Sequence, residues 1–403
     1  MNFYKDADSN IIGGSRSYTV ADPINSFLTD AINQFSSKLM QNVMDSPIST
    51  NNVISPISAY VLLSIVQQGA DGATKKNLEK ILHVEASDAL LDFKNLVVGI
   101  SERGDYGLQV EFATSAFYSE VFDGFMRDIG TNYDCEAYPT DQLSTKLAVQ
   151  AMDKWISINY KMNTTQFVLQ GSCNEENVVL AICSALYFRC EWQEPCHCQK
   201  ARKMKFNVRP LKFIKVPSFH YEALCKAGTS QDFQWVHLNL EKGMFSLVLV
   251  LPIQQYALDD VIKEITPEVM TNIIREKEIK HAKLTVPQFT LKQKTNLKPA
   301  LLKLGLRDMY GGLDDFKGIS CKRMKLMSSV QDMKITVNIR GVSIDSIKGK
   351  EETTLPPEYE LETLELVFNY PFLVFLVDLK NSVPLLIGRV KKPKYEQPRC
   401  VML

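Results

Sequence analysis

The chain has 403 residues, 46 basic and 46 acidic side chains, 45% hydrophobic and 23% charged residues. A composition at the average of soluble globular proteins excludes wholesale disorder, and a net charge of zero offers no field for holding a phosphate backbone, so nucleic acid is not an expected partner. The longest apolar run, Val178 to Phe188, is about half of the ~20 residues a membrane-spanning helix needs.

Residues 1–21 carry no periodicity and read as a flexible extension. They begin with acids where a secretory signal has bases, and no apolar stretch follows. Neither a signal peptide nor a transmembrane helix is expected. The chain would be cytoplasmic, or extracellular or at the cell surface by an unconventional route. Asp22-Pro23 has the form of a helix start, and Ile24, Phe27, Leu28, Ile32, Phe35, Leu39 and Val43 then recur at helical steps until Asp45-Ser46-Pro47. A second helix should follow Ser55-Pro56 and end at Gly69, apolar nearly all round and therefore buried. A third is expected around 144–160, containing Trp155. After residue 178 the pattern turns to strands: Val178–Phe188, Phe245–Leu251, Leu284–Leu291, Met333–Val337, Leu366–Val377 and Pro384–Val390. Helices early and strands late predict an α+β fold. No repeat or Gly/Pro-rich linker divides residues 22–395, so one large domain is expected there.

Nine cysteines, an odd number in a long chain, do not form a disulfide framework. Five lie between Cys173 and Cys198, ending in Cys196-His197-Cys198, but no pair has CxxC spacing. They read as small apolar core residues rather than metal ligands. There is no GxSxG, P-loop or HExxH, and the five histidines stand in polar or mixed settings outside any such motif. No enzyme, metal or cofactor is expected. The anomaly is residues 341–363, GVSIDSIKGKEETTLPPEYELET, far longer than a hairpin needs. Its first residues alternate, Val342 and Ile344 against Ser343 and Asp345, as a strand that could pair with an opened sheet.

Several blocks fall in a recurring order: Asn51 with Ser55-Pro56 and Ser58; Gly69-Ala70-Asp71-Gly72-Ala73-Thr74; Ala185-Leu186-Tyr187-Phe188-Arg189 with Trp192; Val216-Pro217; Leu251-Pro252; Val286-Pro287-Gln288-Phe289; Asp315-Phe316-Lys317-Gly318-Ile319-Ser320; Phe368-Asn369-Tyr370-Pro371-Phe372; and Gly388-Arg389-Val390 with Pro393. From about residue 24 to 393 the chain resembles a serpin. The resemblance implies a metastable fold of three β-sheets with about nine helices and an exposed reactive-centre loop, here about 341–363. It also implies a monomeric serine protease inhibitor, itself no enzyme. A protease attacks the loop as a suicide substrate, and the cut loop inserts into the main sheet. The alternative is a non-inhibitory serpin acting as a binding or chaperone-like module.

The resemblance places a hinge at Gly341, Val342, Ser343, Ile344, Asp345 and Ser346. Val342 stands where inhibitors carry a hydroxyl residue, and Ile344, Asp345 and Ile347 replace small ones. Val342 and Ile344 would pack on the core with Asp345 outward, leaving Lys348 as the awkward guest on that side. Ser55, Pro56, Ser58, Ser184 and Gln331 fall in the shutter and breach region. There Ser184 replaces an Asn, Cys190 a Gly and Gln331 a His, and Gln331 could bridge strands by hydrogen bonds. Different alignments of the loop put the scissile bond at Leu355-Pro356, Thr353-Thr354 or Glu360-Leu361 beside Tyr359. Leu355 or Tyr359 would suit a chymotrypsin- or elastase-like protease, Lys350 a trypsin-like one; the former is expected. Residues 396–403 form a tail ending Cys400-Val401-Met402-Leu403, a C-a-a-X pattern that makes Cys400 a candidate for prenylation and membrane association. Asn163-Thr164-Thr165 is a glycosylation sequon.

Overall fold

A computed structural model of the chain describes residues 24–45, 50–84, 90–101, 108–140, 144–159, 163–171, 178–193, 202–311, 315–343 and 361–395. Apolar residues at three- and four-residue steps fold the first part into α1 (Ser26–Met44), α2 (Pro56–Gly69), α3 (Gly72–Leu82), α4 (Leu90–Ser101), α5 (Asp123–Tyr133) and α6 (Thr145–Asn159), with β1 (Asn52–Ile54), β2 (Leu108–Tyr118) and β3 (Cys135–Pro139) among them. There follow β4 (Asn163–Gly171), β5 (Val178–Glu191), β6 (Arg202–Arg209), β7 (Lys212–Thr229), β8 (Phe233–Asn239) and β9 (Phe245–Pro252). The rest comprises α7 (Leu258–Glu264), α8 (Pro267–Ile274), β10 (Ile279–Pro287), β11 (Phe289–Asn296), α9 (Lys298–Leu304), β12 (Met324–Asn338), β13 (Gly341–Ser343), β14 (Thr363–Val367), β15 (Phe372–Asp378) and β16 (Val383–Val390).

The strands form two hydrogen-bonded systems among the described residues. The larger runs β1-β16-β15-β9-β8-β7-β10-β14, with β6 also on β7. Two ladders meet in it through the long β7, which pairs β10 over Ser218–Lys226 and β8 only at Ala227–Thr229. The second system runs β11-β12-β13-β5-β2-β3, with β4 also pairing β12 and β5. One apolar cluster extends from Ile24 to Val390, and a smaller one lies beneath α6. Helix α2 is buried on every side and passes through the larger cluster, as its continuous apolar sequence requires.

Sequence patterns locate α2 to the residue, and miss in several instructive places. Helix α1 is capped by Asn25, whose side chain accepts from the Leu28 N–H, rather than by Asp22, which lies outside the described residues. Phe27 falls off the buried face and is 59% exposed. The Leu284–Leu291 run divides at Gln288 into β10 and β11. The Leu366–Val377 run divides at Asn369-Tyr370-Pro371 into β14 and β15, which belong to different ladders. Strand β4 is a segment for which periodicity gave no strand.

Candidate functional site

The main sheet is parted between β5 and β12. Both β4 and β13 run antiparallel to each of them, so β5 and β12 are parallel to one another with guests between. At one end β13 inserts: Gly341 faces Glu191 and Asn338, Val342 faces Cys190 and Val337, and Ser343 faces Arg189 and Thr336. Val342 is fully buried in the main core, as its alternation predicts. Gly341 has φ +152°, and a Cβ there would stand 2.1 Å from the Cys190 carbonyl oxygen, so no other residue fits this turn without moving β5. Trp192 braces the turn. Its indole N–H donates to the Asn338 carbonyl at 3.0 Å, its backbone N–H donates to the Arg340 carbonyl, and its ring packs on Phe219 and Tyr221.

The rest of the seam holds β4. It pairs β5 from Leu186 to Val178 and β12 from Asp332 to Met324. Its side chains alternate between two buried environments. Phe167 and Leu169 enter the main core, while Val168 turns the other way, into the cluster under α6 with Ala148, Met152 and Trp155. Only its centre, Phe167-Val168-Leu169, is apolar on both faces, so the strand carries no alternation. Asn163 reaches from its end to accept a hydrogen bond from the Lys334 N–H.

Beneath the seam, the predicted shutter residues are only partly assembled. Ser55 caps α2 with Pro56 at its first turn. The Ser55 hydroxyl reaches the Leu385 carbonyl at 2.8 Å and lies 2.9 Å from the Ser58 hydroxyl. Gln331 spends both ends of its amide on Ser55, accepting from its N–H at 3.1 Å and donating to its carbonyl at 2.7 Å. It therefore ties the sheet to the helix rather than bridging strands, which corrects the expectation. Ser184 is not brought to Gln331, because Thr165 of β4 stands between them. Among the described residues the hydroxyls of Thr165, Ser184 and Thr295 and the Asn163 amide nitrogen have no partner. Each such group costs roughly 1–3 kcal/mol, and three of the four, Asn163, Thr165 and Ser184, lie on β4 or pair directly with it.

Asn163, the sequon residue, is 1% exposed and enclosed by the sheet. In this arrangement its amide has no room for a glycan. Cys183 and Cys190 are buried in β5, and burial pushes each thiol up to about 12, the state of an unreactive core residue. Cys173, Cys196, His197 and Cys198 lie outside the described residues, as do the hinge residues Ile344, Asp345 and Ser346, the scissile-bond candidates Lys350, Thr353, Thr354, Leu355, Pro356, Tyr359 and Glu360, and the tail with Cys400. Among the described residues no helix is long and apolar enough to cross a membrane, and no group of three or more His, Cys, Asp and Glu side chains could hold a metal ion.

Residues 30–393 match the serpin (serine protease inhibitor) family. The chain belongs to the serpin family. It is 24% identical over 368 residues to the alpha-1-antiproteinase F of Cavia porcellus, covering 88% of this chain and 88% of that one. Among solved structures, serpin-12 of Manduca sexta superimposes with a TM-score of 0.73 at 22% identity, covering 90% of this chain and 99% of the other. Human thyroxine-binding globulin, solved as a complex with its namesake, gives 0.74 at 17% identity, covering 92% and 99%. Members of the family are for the most part inhibitors directed at serine proteases, not catalysts.

Proposed function

We propose that this serpin inhibits a serine protease of chymotrypsin- or elastase-like specificity by offering residues within 341–363 as a suicide substrate. The protease serine oxygen would form an ester with the carbonyl of the attacked residue. The peptide C–N bond breaks, and the nitrogen leaves with a proton as a new amino terminus. Further entry of the freed loop between β5 and β12 would then distort the protease before water hydrolyses the ester. One observation carries this reading: the first three hinge residues already pair with both strands as β13. Insertion would thus start from an existing strand, and its extension would displace β4 from the seam. Leu355 and Tyr359 carry the specificity assignment.

A second reading, a non-inhibitory serpin acting as a binding or chaperone-like module, is favoured by the length of seam that β4 fills. Incubation with chymotrypsin, elastase and trypsin, followed by denaturing gels, separates the two. A covalent complex with chymotrypsin or elastase is expected. Clean cleavage between 344 and 360 by all three, with full recovery of protease activity, would overturn inhibition.

A further inference from the structure

The seam between β5 and β12 has two claimants, and their registers coincide. Ser343 pairs with Arg189 on β5 and Asn163 pairs with Leu186, so a chain continuing from β13 in step would bring Ser346 onto the rung of Asn163. Strand β12 gives the same answer independently. Ser343 pairs with Thr336 and Thr164 with Asp332, which brings Ile347 onto the rung of Thr164. Both guests run in one direction and cannot share these rungs.

The exchange is chemically unequal. Val342 and Phe167 both face the main core, so the two segments also agree in which side chains point inward. On that face the loop would set Lys348 where Thr165 now lies beside Gln331, Lys350 in place of Phe167, and Glu352 in place of Leu169. On the other face Glu351 would take the site of Val168, under α6. Four charged groups would enter positions that are now buried, where charges are tolerated only if paired and hydrogen-bonded.

We infer that β4 is a built-in competitor of the reactive loop, and that Phe167 and Leu169 decide how a cleaved molecule partitions between trapping its protease and releasing it. This deepens the inhibitor reading and rests on it. While β4 stays, the rungs from Asn163 onward are closed to the loop, and water adds across the acyl ester to return free serine and a loop carboxylate. Most encounters then consume serpin without arresting protease.

Hydrogen exchange at the amides of 163–171, with thermal melts before and after loop cleavage by chymotrypsin, tests this on the full chain. In the wild type these amides should stay protected after cleavage, with little change in melting temperature. In a Lys348→Thr/Lys350→Ala/Glu351→Ala/Glu352→Ala variant, whose folded seam is untouched, cleavage should strip that protection and raise the melting temperature. The fraction of covalent complex should rise about tenfold, which a change of about 1.4 kcal/mol in partitioning gives. Phe167→Ser should act in the same direction from the other side. Rapid exchange at 163–171 in the intact wild type would overturn the competitor, as would loss of protection with a large melting rise in the cleaved wild type. The inhibitor reading fails separately, if the loop variant gains stability on cleavage yet forms no covalent complex.

Discussion

At the scale of single residues, the shutter shows how a substitution is absorbed. Gln331 satisfies both backbone groups of Ser55, the residue that begins α2. Gln331→Leu leaves an N–H and a carbonyl buried without these partners, and should cost about 2–4 kcal/mol in equilibrium urea unfolding. His237 presents a different dependence. Its Nε2 lies 2.8 Å from the Ile273 carbonyl and so carries the proton, Nδ1 has no partner among the described residues, and burial lowers its pKa to about 4. The unfolded chain therefore binds a proton that the folded chain refuses between about pH 6.5 and 4. Stability is complete above that window and falls as pH drops through it. His237→Gln should flatten this part of the stability–pH curve, measured by urea midpoint. The resemblance put Gln331 in the shutter with Ser55 but not onto its backbone, and the histidines looked bland, because both contacts join residues far apart along the chain.

At the scale of elements, the described part of the hinge is the three-residue strand β13, whose first residue meets a strict steric demand. Gly341→Ala should expel β13, since both its backbone angle and the Cys190 carbonyl oppose a Cβ. Faster proteolysis near 341–343, with the rest of the chain melting almost unchanged, is the expected result. Elements with one clear signal were readable in advance: α2 from its proline start and glycine end, β5 and β9 from unbroken apolar runs, β13 from the alternation of Val342. Strand β4 was not, because Asn163-Thr164-Thr165-Gln166 looks polar and the apolar Phe167-Val168-Leu169 is too short to signal alone. Its assignment comes from the space between two other strands, which no local pattern records.

At the scale of the whole molecule, nine ordered sequence blocks were enough to recognise the fold, because each marks a place where several elements meet. The competing claim on one seam lies outside such blocks and had to be read from register. Its overall consequence is thermal: loop cleavage should leave the wild-type melting temperature nearly where it was, a result that differential scanning calorimetry would give directly. The enclosed Asn163 has a further consequence, in the timing of synthesis. An oligosaccharide attached while the chain is still unfolded would make β4 too bulky to enter the sheet. The same polypeptide made in the cytosol and in a secretory compartment should then mature into two forms, one with the seam plugged and one with it vacant. Sugar would here act as a wedge installed before folding, and the mass of the peptide around Asn163 would report which form a cell had made.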